Sequence, residues 1–149
     1  MKPLRVKSPK IYFRDSGLLH EFLKIGSMRD LLAHPKLGFS WEGFVMEQVL
    51  EQFGEKDSFF WATHAGAELD LLIVRGSRKW GFEFKFTESP EITKSMRIAL
   101  NDLNLEKIVV IYPGKHTFPL DEKIWATNLA AYVSALKKEV PATRSLGLA

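Results

Sequence analysis

The chain has no cysteine, and that absence removes disulfides, thiolate metal sites and thiol catalysis together. No apolar run approaches the ~18 residues needed to cross a bilayer, so a spanning helix and a membrane partner are not expected. The N-terminal MKPLRVKSPK has no apolar stretch behind its lysines, unlike a secretory signal. His20, His34, His64 and His116 are scattered without H-x-x-x-H or H-E-x-x-H spacing, which leaves a zinc site without support. The phosphate loop G-x-x-x-x-G-K-[ST] and the esterase signature G-x-S-x-G are also missing. A reduced, cytoplasmic protein is expected, its chemistry carried by carboxylates, lysines, histidines and hydroxyls.

What is present suits one α/β domain. In 149 residues, 46% are hydrophobic and 26% charged, and eleven Phe with four Trp can furnish a sizeable core. The net charge of +3 is unevenly spread: residues 1–40 carry +5, residues 41–70 carry −6 and residues 71–100 carry +3. An acidic block between basic ones fits a metal centre flanked by phosphate-binding surface, and equally a solvated helix face.

Residues 1–14 read as an extended lead-in, 15–138 as the domain and 139–149 as a tail. Asp15 or Ser16 can cap a helix over Gly17–Lys24, with Leu18, Leu19, Phe22 and Leu23 as its apolar stripe. A second short helix, Met28–His34, stops before Pro35. Ser40 is placed to cap a helix running to Phe53, which Gly54 ends. The period then changes to two, predicting strands at Phe59–His64, Ala67–Val74 and Lys79–Phe86. A helix over Pro90–Leu103, a buried strand at Lys107–Tyr112, a short strand near Lys123–Ala126 and a helix over Asn128–Lys138 complete the pattern.

The stretch AELDLLIVRGSRKWGFEFKF, residues 67–86, is the most informative. Gly76-Ser77 suits a type II′ hairpin turn. That register sets Val74 opposite Lys79, Leu72 opposite Gly81, Asp70 opposite Glu83 and Glu68 opposite Lys85. Leu69, Leu71 and Ile73 then share one face with Trp80, Phe82, Phe84 and Phe86. The other face collects Glu68, Asp70, Glu83 and Lys85 at one end. Two carboxylates ~5 Å apart at an effective dielectric of ~20 repel by roughly 3 kcal/mol. A divalent cation would offset that, since Mg²⁺ often takes one or two carboxylates plus waters and phosphate. Lys85 would stabilise an activated water or the charge on a phosphate. The bland alternative is a Glu68–Lys85 ion pair, with Asp70 and Glu83 pointing into water.

On the Ser40–Phe53 helix, Glu42 falls within the apolar arc of Trp41, Phe44, Val45, Met46, Val49, Leu50 and Phe53. A carboxylate there is costly unless paired or bound to metal, or unless its place near the helix start leaves it partly exposed. Lys94 and Arg97, one turn apart on the next helix, suit phosphate contacts or a solvated face.

A helix bearing Glu, then a hairpin bearing Asp and Glu-x-Lys, then helix and strand, resembles the PD-(D/E)XK nuclease superfamily. KIYFRDSGLLHEFL, GFSWE, AELDLLI and GFEFKF further resemble domain of unknown function (DUF) 4143, across roughly residues 8–128. The resemblance implies a restriction-endonuclease-like core with a central mixed sheet, an antiparallel hairpin and flanking helices. It also implies Mg²⁺ or Mn²⁺ as cofactor and DNA as substrate. Asp70 and Glu83, helped by Glu42, would hold the metal, Lys85 would act on the water, and Lys94 and Arg97 would contact nucleic acid. Leu69 stands where the superfamily's name has proline. Such domains commonly follow an AAA-type ATPase module, which this chain lacks, so it is read as a piece of a longer protein or a stand-alone copy. An inactive accessory module of an ATPase is the alternative reading, and self-association is compatible with either.

Overall fold

The computed structural model describes residues 11–139. The basic residues expected in the lead-in up to Lys10, and the tail from residue 140, lie outside the described residues. Helix α1, Ser16–Phe22, begins where Asp15 Oδ1 accepts the amides of Gly17 and Leu18 at 2.7 and 3.2 Å. Its expected apolar stripe is not a buried face: Leu19 is buried, whereas Leu18 and Phe22 are 63% and 76% exposed. Helix α2, Met28–Ala33, is capped by Ser27 and ends before Pro35.

Helix α3, Leu37–Phe53, starts three residues earlier than expected. Pro35 leaves His34 extended, and the chain then turns through the Leu37 N–H to His34 carbonyl bond of 3.0 Å. A backbone turn therefore starts the helix. Ser40 is buried inside it, with its hydroxyl 2.7 Å from His20 Nε2 on α1. Gly54, at φ 82°, ends α3 as expected.

Six strands form one sheet in the order β1-β2-β3-β4-β6-β5. Strands β1 (Ser58–Ala62), β2 (Glu68–Arg75) and β3 (Arg78–Phe84) are antiparallel neighbours. Helix α4, Lys94–Asp102, provides the crossover that lets β4, Lys107–Ile111, lie parallel to β3. Strand β6, Ile124–Thr127, is parallel to β4, and β5, Phe118–Asp121, pairs antiparallel on the outer edge. Helix α5 spans Leu129–Glu139. The expected helix from Pro90 begins only at Lys94, where Thr93 Oγ1 accepts the Met96 amide at 3.2 Å.

Each face of the sheet carries its own core. On one, Val45 and Val49 of α3 pack with Leu71, Ile73, Phe82, Phe84, Val109 and Ile111, and Tyr132 of α5 closes against them. On the other, Met96 and Ala99 of α4 pack with Leu69, Leu72, Ile108 and Val110. Strand β4 is thus buried on both faces, as its unbroken apolar run implies.

The β2–β3 register is the expected one across five pairs, from Arg75↔Arg78 to Leu71↔Phe82. Gly76 has φ 60° while Ser77 is not left-handed, which fits the type II′ turn. The alternation fails at the far end of β2. Against β1, Phe59 faces Leu72 but Trp61 faces Leu69, so Asp70 and Leu71 together oppose Phe60. This β-bulge moves Leu69 to the opposite face from Leu71, correcting the continuous apolar surface expected for Leu69, Leu71 and Ile73. Leu69 there covers Gly81, where an added Cβ would stand 3.0 Å from side-chain carbons of Leu69, Leu105 and Ile108.

Candidate functional site

The bulge places Asp70 where β2 and β3 stop pairing. The paired ladder ends at Leu71↔Phe82, one step short of Asp70 and Glu83. Beyond it, the Phe84 amide donates to Asp70 Oδ2 at 3.0 Å, so a side chain serves as its acceptor. Asp70 is 5% exposed and Glu83 3%. Neither points into water, which disposes of the bland reading for this pair.

Lys85 follows the end of β3, with its amide donating to the Ile111 carbonyl at 3.0 Å. Its Nζ lies 2.7 Å from Glu83 Oε2 and 4.0 Å from Asp70 Oδ2. Burial works against its charge and is the largest single influence. The opposing pull of Glu83, the hydrogen bond to Glu83, and the charges of Asp70 and Glu42 together outweigh it, so the ammonium is held above its ordinary range. Lys85 therefore remains a cation at neutral pH.

Glu42, on the second turn of α3, is half-buried and accepts a hydrogen bond from the Tyr12 hydroxyl at 3.1 Å. Burial, then Glu42 and Asp70, and further Glu68, push the Tyr12 phenol well above its usual range. The charges felt by Tyr12 and Lys85 thus place Glu42, Glu68, Asp70 and Glu83 in one electrostatic neighbourhood. A cleft of about 420 Å³ opens beside it, lined among others by Tyr12, Arg14, Phe59, Phe60 and Asp70. Tyr12 was not singled out from the sequence. Periodicity gives no hint of it, because it precedes α1, and its only signal is its place in the block KIYFRDSGLLHEFL.

Lys94 and Arg97 are exposed on α4. Arg97 Nη1 is 2.9 Å from Asp121 Oδ2 on β5, at the opposite edge of the sheet from β1. That ion pair ties Arg97 to the outer strand, and no contact joins Lys94 or Arg97 to the acidic cluster among the described residues.

Asp70 and Glu83 suit a hard divalent cation in donor type, and Lys85 Nζ, 2.7 Å from Glu83 Oε2 and 4.0 Å from Asp70 Oδ2, sets both carboxylates about one centre. Among the described residues, however, no three His, Cys, Asp or Glu side chains converge as a ready metal cage. Two carboxylates, with water and phosphate for the rest of the shell, are the donors a cation would find here.

The family model for a domain of unknown function, DUF4143, matches residues 37–132. The chain belongs to the DUF4143 family. Glu42, Asp70, Glu83 and Lys85 all fall inside the matched span, while Tyr12 precedes it. Two relatives, the uncharacterized proteins Mb2031c of Mycobacterium bovis and Rv2008c of Mycobacterium tuberculosis, are each 48% identical over 120 residues. The match covers 80% of this chain and 27% of each relative, so the chain spans about a quarter of their length. No solved structure matches the chain. Among the described residues, no helix is long and apolar enough to cross a membrane.

Proposed function

We propose that this DUF4143 domain is a PD-(D/E)XK-type, metal-dependent nuclease that hydrolyses phosphodiesters in DNA. The observation that carries the reading is the meeting of Asp70, Glu83 and Lys85 at the end of the β2–β3 hairpin, with Asp70 set there by a bulge. The element order α3-β1-β2-β3-α4-β4, with three antiparallel strands and a parallel fourth, supports it. So does the distribution of acids: Glu42 on the helix, Asp70 on β2 and Glu83 on β3.

Asp70 and Glu83 would hold Mg²⁺ or Mn²⁺, with Glu42 reaching the ion's shell through water. When bound, the ion supplies positive charge at the phosphate and acidifies a coordinated water. The Phe84 amide fixes Asp70 Oδ2, so that carboxylate is oriented before any ligand arrives. Lys85 would donate hydrogen bonds to the attacking water or to a phosphate oxygen. Taking up the water's proton would then fall to a carboxylate, and Glu42 and Glu68 are the two that are only half-buried. The wider reading, from the resemblance, is that the domain works beside an AAA-type ATPase module.

A second reading has its own observation. Lys85 already sits 2.7 Å from Glu83, so the chain's own ammonium supplies the charge a metal would supply. On that view the domain is a catalytically silent accessory module of an ATPase.

Incubation with labelled single-stranded, duplex and branched DNA in Mg²⁺ or Mn²⁺ separates the two. Metal-dependent products that disappear in Lys85→Ala support hydrolysis. DNA that stays intact under all these conditions supports the accessory module.

A further inference from the structure

Tyr12 belongs to the segment ahead of α1, yet its ring is fixed on α3 from two sides. It stacks on Phe39, with centroids 5.1 Å apart and planes 11° from parallel. It also lies over Gly43, where an added Cβ would sit 3.4 Å from Tyr12 Cδ1. Phe39 and Gly43 are one turn apart on α3, so both contacts fall on one face of the helix. The position so defined brings the phenolic hydroxyl to 3.1 Å from Glu42 Oε2. Tyr12 also lines the same cleft as Asp70.

A packing anchor needs the ring and not the hydroxyl. Each contact fixed on a glutamate carboxylate narrows the rotamers open to it, and ordering a long side chain costs conformational entropy. A hydrogen bond from a fixed donor to a charged acceptor is among the stronger kinds and selects one orientation. An ordinary tyrosine phenol is protonated throughout the neutral range, so the donor is present there.

We infer that Tyr12 is a positioning residue, which fixes the Glu42 carboxylate in the orientation that serves the Asp70–Glu83 centre. The inference rests on the metal-dependent reading above. It makes the site a joint product of the 37–132 span and of the segment before α1.

The test is Mn²⁺ binding by calorimetry, with thermal unfolding measured on the same samples. Tyr12→Phe keeps the ring and removes the donor. It should weaken Mn²⁺ binding by about tenfold, the low end of what loss of a group that orients a ligand costs, while the unfolding midpoint stays close to wild type. Glu42→Asp keeps the charge but withdraws it from the hydroxyl, and should weaken binding comparably if Tyr12→Phe fails to fold. Tyr12→Phe combined with Glu42→Gln should bind no more weakly than Glu42→Gln alone. Wild-type affinity in both Tyr12→Phe and Glu42→Asp would overturn the positioning role and leave the metal centre standing. Additive losses in the double variant would overturn it too. Absence of Mn²⁺ binding in the wild type would remove the metal centre and this role together.

Discussion

The two ends of the β2–β3 hairpin follow different rules. At the turn end, five residue pairs keep register, Gly76 takes the left-handed conformation, and Arg78 meets Glu106 at 2.9 Å in a solvent-exposed ion pair. At the other end the ladder stops, β2 bulges, and Lys85 meets Glu83 at 2.7 Å with the Glu83 side chain only 4% exposed. The two ion pairs have similar lengths and different consequences. An exposed pair is screened and gains little, whereas breaking a buried one strands a charge. Regular pairing makes the scaffold, and the buried cluster of Asp70, Glu83 and Lys85 sits where that pairing is interrupted.

Removing the cation at each end tests this contrast most strongly. Lys85→Met should cost about 2–3 kcal/mol in denaturant unfolding, because Asp70 and Glu83 lose their shared counter-charge. That figure sits below the range for a fully buried pair because the Lys85 side chain is 37% exposed. A smaller loss, about 1–3 kcal/mol, is expected for Gly81→Ala, whose methyl would press on Leu69, Leu105 and Ile108 at 3.0 Å. Gly76→Ala, at the turn, should cost about 1 kcal/mol through its positive φ alone. Arg78→Met should shift the unfolding curve least, because Arg78, paired bidentately with Glu106 and lying over Trp80, is solvent-exposed. A loss matching Lys85→Met would erase the distinction between the ends.

The same contrast has a pH signature. Lys85 in the folded chain titrates above its ordinary 10.5, so its contribution is complete below that pH and is lost as pH rises through the higher folded value. From neutral pH upward, the stability gap between wild type and Lys85→Met should hold constant and narrow only once pH rises past 10.5. Curves that converge between neutral pH and 10.5 would instead mean that Lys85 is not held as a cation.

Much of this was legible in the sequence. Gly76-Ser77 and the alternation on either side set the hairpin register, because turn geometry and a two-residue period both act locally. That register brought Asp70, Glu83 and Lys85 to one end of the hairpin, but the direct strand pairs expected there, Asp70 with Glu83 and Glu68 with Lys85, are not formed. The bulge was not legible, since it arises from how β2 pairs with β1 and leaves no mark on β2 alone. Strand β5 escaped notice because it is a four-residue edge strand containing Pro119, which reads as a break. The start of α3 was displaced because a backbone turn after Pro35 replaced the side-chain cap expected at Ser40. Glu42 stood out as an acid on an apolar face, but its partner Tyr12 lies 30 residues away and only the fold joins them.

The central claim is that Asp70 and Glu83 form a divalent-cation site. Calorimetric titration of the wild type with Mg²⁺ and Mn²⁺, beside Asp70→Asn and Glu83→Gln, tests it most directly. Asp70→Asn retains an oxygen for the Phe84 amide, so its fold should persist while its affinity falls. The account predicts saturable binding in the wild type and loss of binding in both variants. A wild type that binds neither ion, or variants that bind as the wild type does, would contradict it.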